Sequence, residues 1–430
     1  VDDNMNKGVV WTKGHKIKEV FIFPDANSDE AVNLIGQIQF IKYFENVVDP
    51  SIHVEITFAD TFGSLDKFRI RSGSTVRLVV SHPSQEGELT LTLTISNIVG
   101  HTKDQKREIY TFVCETIGTF SNHTTRVIKR YDGQISNSVK DILTKVLAIP
   151  EDQIEVDPCK NKMTFYGNYR RPFKVISNLC PKTIPPDVDG EDPNSGSAGY
   201  LFYQTQDKYH FKSIDKIFDS EPPKEVYKMT PFKDGLDLEN NFMLASEPNF
   251  KENHDLIKKL RTGAFSTSNW YFDVVTRKFT FPNNYKYENA LERDHLKTAN
   301  EDALPPEDFI KPTTRFILGT LDSATTEKNA DGKGNDEDKQ TQALHQAQAS
   351  ARYSAMFSQV LEFTIPMNLS LRVGQIMNLE FPFINTDKNT TKRSPHSGKY
   401  MISRLSHEFG NSEGDYTGIS CVRDSFTIHE

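Results

Sequence analysis

From about residue 16 to 118 the chain alternates apolar and polar residues, most regularly in LTLTLTI at Leu89–Ile95, where every second side chain falls on one face. A period of two predicts a half-buried antiparallel strand. The same pattern predicts strands at Ile17–Phe23, Gly36–Phe44, His53–Phe58, Thr75–Val80 and Ile109–Glu115, punctuated at Asp49-Pro50, Gly73 and Gly87. About six strands in such a length predict a small barrel or sandwich.

The period then changes. Val139, Ile142, Leu143, Val146 and Leu147 recur at three and four residue steps, which predicts an amphipathic helix capped by Ser136 and stopped at Pro150. A second helix starts on Pro172, turns Phe173, Ile176 and Leu179 inward and ends before Pro181. Ile184 to Gly199 reads as a flexible loop. YLFYQTQ and YHFKSI flank Asp207-Lys208 as a hairpin, closed by one helical turn from Ser213 to Phe218. Strands return at Phe272–Phe281, Val360–Pro366, Met377–Phe383, Lys399–Phe409 and Tyr416–Asp424. Between them the polar stretch Glu327–Gln342 is too poor in apolar residues to order itself, and Ala343–Phe357 has helical propensity. The expected class is α+β, dominated by β: a β-barrel at 1–118, an α+β unit at 119–225 and a second β-barrel at 226–430, with a flexible acidic insertion near 325–345. No exact internal repeat stands out, although two β domains of similar size could be a diverged pair.

Composition sharpens this. Apolar residues are only 36%, yet 29 Phe and 15 Tyr supply them as large rings, which favours strands over Ala/Leu-rich bundles. A net charge of −8 disfavours a general nucleic-acid-coating role. No uncharged apolar run approaches the roughly 18 residues that cross a bilayer, so a soluble chain without membrane insertion is expected. Cys114, Cys159, Cys180 and Cys421 are scattered, with neither a disulfide framework nor a zinc pattern.

Chemistry-bearing motifs are missing. Gly332-Lys333-Gly334 lacks the third glycine and preceding strand of a phosphate loop, and the runs from Asp187 and Asp331 lack the glycine and closing acid of a calcium loop. His210 and His407 stand alone rather than at ligand spacing, and there is no GxSxG elbow. Sequons at Asn122, Asn368 and Asn389 are a chance yield. No catalytic residue, metal or cofactor is expected.

Several stretches resemble the baseplate central hub proteins of contractile-tailed bacteriophages, the T-even type and its cyanophage-like relatives. RRPFKVISNLCPK followed by AGYLFYQTQDKYHFKSIDKIF is similar to the family's proline-led helix, loop and hairpin, with Pro172, Phe202, Tyr209, Phe211 and Asp215. RTGAFSTSNWYFDVVTRKFTF supplies Gly263 and Asp273. LRVGQIMNLEFPF, SGKYMISRLSHEF and a last strand resemble the closing barrel, with Gly374, Gly398, Tyr400, Arg423 and Asp424. IQFIKYFENVVDPSIHVEITFAD looks like the first strand pair of the first barrel. Each motif is common in β proteins, and these residues mark a fold rather than an active site; their order along the chain is the specific feature.

The resemblance implies a structural protein of the virion tail baseplate, assembled in the host cytoplasm, and no enzyme. It implies a homotrimer whose ring adapts the hexameric tail tube, or a tube initiator, to the trimeric central spike, with the tape-measure protein as a further partner and DNA passing unbound through the centre. The classes that compete with it are a tail-borne cell-wall hydrolase and a carbohydrate-binding β-module.

Overall fold

The computed structural model describes residues 14–24, 31–82, 87–103, 106–186, 199–223, 225–229, 246–274, 277–280, 285–286, 306–321, 336–381, 394, 396–410 and 415–424. The first strands are β1 (Lys16–Phe23), β2 (Val32–Asn33), β3 (Ile38–Asn46), β4 (Asp49–Asp60), β5 (Thr75–Ser81), β6 (Glu88–Lys103) and β7 (Glu108–Glu115), with the short α1 (Ser64–Lys67) between β4 and β5. Alternation sets their faces. Leu89, Leu91, Leu93 and Ile95 are buried in one core with Phe58 and Phe112, while the intervening threonines point outward. Gly36 lies in a 3-10 turn before β3 rather than within the strand. The β3–β4 turn falls on Val47-Val48, so Asp49-Pro50 opens β4 instead of breaking it, a place where a strand accepts proline.

The middle region contains α2 (Ile117–Thr124), β8 (Arg130–Tyr131), α3 (Ile135–Asp141), β9 (Ile154–Val156), β10 (Phe165–Tyr166), α4 (Pro172–Leu179), β11 (Tyr200–Gln204), β12 (Tyr209–Ser213) and α5 (Ile214–Asp219). Pro172 occupies the first turn of α4, where a missing N–H costs nothing, and Phe173, Ile176 and Leu179 face the core. Ser136 is not a cap. The cap position of α3 is Gln134, and α3 runs into a π-helical turn at Ile142–Val146 that keeps Val139, Ile142 and Leu143 all fully buried. Residues 187–198, most of the expected loop, lie outside the described residues.

Beyond these come β13 (Val226–Lys228), β14 (Ser246–Asn253), α6 (Leu256–Thr262), β15 (Ser266–Asp273), β16 (Lys278–Thr280), β17 (Tyr285–Lys286), α7 (Glu307–Ile310), β18 (Arg315–Leu321), α8 (Asp336–Met356), β19 (Gln359–Pro366), β20 (Ile376–Glu380), β21 (Gly398–Gly410) and β22 (Tyr416–Arg423). The single run expected at Phe272–Phe281 is divided between β15 and β16, which pair with each other. α8 begins at Asp336, inside the stretch expected to be flexible, because helical hydrogen bonds are local and extend outward from a seated turn without further burial. Residues 327–335, the rest of that stretch, lie outside the described residues.

Thirteen strands form one largely antiparallel sheet, open at both ends among the described residues, in which β14-β19-β22-β21 continues directly into β3-β4-β7-β6-β5-β1-β2 and β20 pairs with β21. The three largest hydrophobic clusters among the described residues lie behind it and beside it: one under β1 to β7, one under β19 to β22, and one in the middle region. The first two exchange residues, since Val47 belongs to the second cluster while Met367, Leu369 and Phe409 belong to the first. β15 to β18 make a separate four-stranded sheet against α8. No helix among the described residues is long and apolar enough to cross a membrane.

Phe58 is fully buried, with ring centroids 4.8 Å from Phe112 and 5.6 Å from Tyr110. Phe58→Ala is expected to lower the urea-measured unfolding free energy by about 3–5 kcal/mol, and Thr92→Ala, on the outer face, by under about 0.5 kcal/mol; equal effects would contradict the assigned faces.

Candidate functional site

The two β units have the same strand order. Taken in chain order, β3, β4, β5, β6, β7 and β14, β19, β20, β21, β22 both pair as first, second, fifth, fourth, third. Details repeat at atomic level. Before β5, Gly73 N donates to Ile95 O (2.8 Å) and Ile95 N to Ser74 O (2.9 Å); before β20, Gly374 N donates to Ile402 O (2.8 Å) and Ile402 N to Gln375 O (2.9 Å). Arg71 N donates to Ser74 Oγ (3.3 Å) and Arg372 N to Gln375 Oε1 (3.0 Å). Ile95 lies opposite Cys114 and Ile402 opposite Cys421, and in each long strand the register slips directly afterwards. Ser96 Oγ reaches Val113 O (2.9 Å) as Ser403 Oγ reaches Ser420 O (2.8 Å). Both glycines sit at positive φ, 97° and 82°.

In each unit pairing with the preceding strand goes no further than Ile95 in β6 or Ile402 in β21, so the second half of the long strand keeps the following strand on one flank and has the other flank open to a different strand. For β21 the freed flank pairs with β3, from Arg404 opposite Asn46 to Gly410 opposite Phe40. For β6 the flank from Asn97 to Lys103 carries no strand among the described residues, and β14 likewise has β19 on one side only. So the chain contains one completed junction and the two halves of a second.

The completed junction is closely fitted. Val47 N donates to Ser403 O (2.9 Å), Lys42 pairs with Glu408 (2.9 Å) and the His407 ring stacks on Tyr43 at 5.7 Å. Burial drives the His407 pKa down to about 3. Glu45, buried on β3, accepts from Tyr43 Oη, from Gln206 N (2.9 Å) in the β11–β12 turn and from Val373 N (3.0 Å) before β20. Arg372 stands 3.9 Å from Glu45 and holds Gln206 Oε1 at 2.6 Å.

Over the junction the outward face of the sheet encloses an open cavity of about 640 Å³, lined across six adjacent strands by residues that include Phe44, His53, Glu362, Arg404, Glu408 and Tyr416. A single cavity spanning six strands means that the sheet is concave on this face. Of the charged residues that line the cavity, Asp49, Glu362 and Glu408 outnumber Arg404. His53 lies 3.5 Å from Asp49 and 3.6 Å from Glu115; the Asp49 hydrogen bond raises its pKa against the opposing effect of burial.

The residues singled out by family resemblance serve other places. Asp215 and Asp424 converge on buried Arg352 of α8, at 3.4 and 2.8 Å, and the guanidinium lies 4.8 Å above the Phe218 ring. Arg423 lies over Tyr400 (5.3 Å) and donates to Ser397 O (3.2 Å). Phe202, Tyr209 and Phe211 pack in the middle core, as Pro172 starts the helix beside them. Gly398 opens β21; Gly263 ends α6 and Asp273 ends β15, both in the four-stranded sheet region. Of the set only Gly374 belongs to the repeated bracket. Its counterpart Gly73 was legible as a turn but not as a partner, and the signal was the shared spacing in RSGSTVRL and RVGQIMNL. Arg352 and Glu45 had no sequence signal. Among the described residues no group of three His, Cys, Asp or Glu is placed to hold a metal ion.

Tail proteins are among the chain's structural neighbours. It is similar in fold to the 43 kDa tail protein of prophage MuSo2 from Shewanella oneidensis, with a TM-score of 0.53, 10% identity and coverage of 96% of this chain and 99% of that one. It is similar also to the tail protein from Neisseria meningitidis MC58, with a TM-score of 0.54, 9% identity and coverage of 96% and 97%. No protein-family model matches, and no curated protein matches in sequence.

A Cβ on Gly374 would stand 2.4 Å from Tyr203 Oη, whereas Gly73 has open space. Gly73→Ala is therefore expected to cost about 1–2 kcal/mol for backbone strain alone, and Gly374→Ala measurably more in the same denaturation assay. His407 is neutral when folded, so protons favour the unfolded chain between pH 6.5 and about 3. Its stabilisation is full above the ordinary histidine value and is lost as pH falls toward about 3. His407→Gln should reduce the slope of stability against pH in that window, and an unchanged slope would contradict a neutral ring.

Proposed function

We propose that this chain is a baseplate hub subunit of a contractile phage tail or a related phage-like particle, and that three copies close into a ring. The observation that carries the reading is the repeated unit with one junction made within the chain and the matching half-junctions at β14 and β6 unpaired among the described residues. Edges of this kind are normally covered, and a second copy offers the complementary one. Each copy contributes eight consecutive strands, from β14 to the second half of β6, to a closed wall.

Symmetry then supplies the task. Three chains carrying two like units present a quasi-sixfold set of tube-like barrels, suited to a hexameric tail tube or its initiator, while everything outside the repeat stays threefold and suits a trimeric spike. In this reading the domains are 1–118, 119–225 and 226–430, and the concave face with its acid excess lines the channel. Such a lining repels phosphates, so DNA slides through without being bound, and the tape-measure protein shares the same passage. The role is structural and located in the virion tail.

The repeat also specifies contacts. Phe44 lies opposite His53 and Ser406 in the completed junction, Glu252 lies opposite Val360 as Phe44 does opposite His53, and Val99 is the counterpart of Ser406. Glu252 of one copy therefore faces Val99 of the next. The first measurement is the solution mass by light scattering, alone and with a co-expressed spike protein, where three times 49.0 kDa is expected. Val99→Cys with Glu252→Cys should then give oxidised covalent dimers and trimers that neither single variant forms. A monomer that ignores the spike and never cross-links would overturn the ring.

A further inference from the structure

The repeat places one kind of surface in the molecule twice, covered in one place and open in the other. FRIRSG (68–73) and LSLRVG (369–374) lead into β5 and β20 with the same spacing of apolar residues, arginine and glycine. Ile70 and Leu371 are each 6% exposed and lie in the core of their own unit. Two residues earlier the likeness ends. Leu369 is also 6% exposed, but it is buried in the cluster of the first unit, across the completed junction. Phe68 is 37% exposed. α1 and the left-handed Arg69 (φ 54°) belong to the first unit alone and leave Phe68 outside that unit's core.

The strand that meets this approach differs in the same sense. Val54 and Leu361 are counterparts, since they lie opposite Cys114 and Cys421, so Tyr43 opposite Val54 corresponds to Phe250 opposite Leu361. Glu45, next after Phe44, corresponds to Asn253, next after Glu252. Tyr43 and Glu45 are buried at the completed junction, whereas Phe250 is half-buried and Asn253 exposed. His407, which stacks on Tyr43, corresponds to Gly100, where a Cβ would meet nothing within 4 Å. That leaves room for a Phe250 ring from outside the chain.

The completed junction shows what covers such a surface. Leu369, Arg372 and Val373 of one unit are met by Tyr43 and Glu45 of the other, with Val373 N donating to Glu45 (3.0 Å) and Arg372 at 3.9 Å from it. The open surfaces are the corresponding two, the approach with Phe68 and Arg71 and the strand end with Phe250 and Asn253. They lie on different units of one chain, so the cover that fits each is a second copy. One difference is chemical. Asn253 offers a carboxamide oxygen, which accepts from Gln359 Nε2 (2.9 Å), where Glu45 offers a carboxylate. A contact between copies made this way lacks the charge-assisted bond of its counterpart within the chain and is the weaker of the two.

We infer that the approach to β5, through Phe68 and Arg71, is the seat on one copy for the end of β14 of the next, with Phe250 across Gly100 and the Asn253 carboxamide beside Arg71. This seat presupposes the ring and supplies the side chains that close it. The test is a dilution series of the full chain followed by light scattering, alone or, where the chain alone is monomeric, with the co-expressed spike protein. Phe68→Ser and Arg71→Ser are each expected to raise the concentration at which trimers half-dissociate by about tenfold. Asn253→Glu, which restores the carboxylate of Glu45, is expected to lower it by about as much, and to bring no gain when combined with Arg71→Ser. Phe68 and Arg71 lie outside the core, so both variants should melt with the parent when diluted to monomers. Trimers unaffected by Phe68→Ser and Arg71→Ser, while Val99→Cys with Glu252→Cys still cross-links, would overturn the seat and leave the ring. Early melting of Phe68→Ser, or a gain from Asn253→Glu that persists without Arg71, would also overturn the seat. A chain monomeric at every concentration, with and without the spike, would overturn seat and ring together.

Discussion

The buried carboxylate of Glu45 is the constraint on which the arrangement depends. It stands on β3, yet its acceptor sites are filled by Tyr43 beside it, by Gln206 N from the β11–β12 turn and by Val373 N from the approach to β20. One side chain thus ties the first β unit, the middle region and the second β unit. Burial raises its pKa, and the Tyr43 and Val373 hydrogen bonds and Arg372 oppose that shift. Desolvating such a group costs several kcal/mol, and only bonds in the correct geometry return it. The carboxylate therefore selects one mutual placement of three cores that hydrophobic burial alone would hold less specifically.

Arg352 does the same on the other side of the second core. α8 presents it to Asp215 at the start of α5 and to Asp424 after β22, with Phe218 beneath the guanidinium. Planar, multidentate recognition suits an arginine that must satisfy two carboxylates in a dry site. Together the two networks hold the middle region against the second unit, at the β11–β12 turn through Glu45 and Arg372 and at α5 through Arg352.

The repeat explains why a single chain needs such ties. In each unit the preceding strand pairs with only the first half of the long strand, and an open strand edge pairs with whatever complementary edge is near. Within the chain β3 fills one of these places. The units have diverged most at the first hairpin, which is the two-residue turn Val47-Val48 in one and residues 254–358 in the other. That turn donates into the facing unit through Val47, so growth at this corner adds material where two units meet without disturbing either ladder.

Sequence alone determined what depends on near neighbours. Alternation in Leu89–Ile95 assigned its two faces, Pro172 marked the start of α4, and Asp207-Lys208 marked a hairpin, because side-chain period and turn chemistry act over a few residues. The ordered motifs from Pro172 to Asp424 also pointed to a tail-protein fold, although they identified packing positions rather than an interface. Tertiary structure decided the rest. Nothing local predicts that β21 leaves its own hairpin partner for β3 or that Asp215 and Asp424 share Arg352. Those pairings join residues far apart in the chain, and their free energy exists only once separate cores have formed and brought the partners into register.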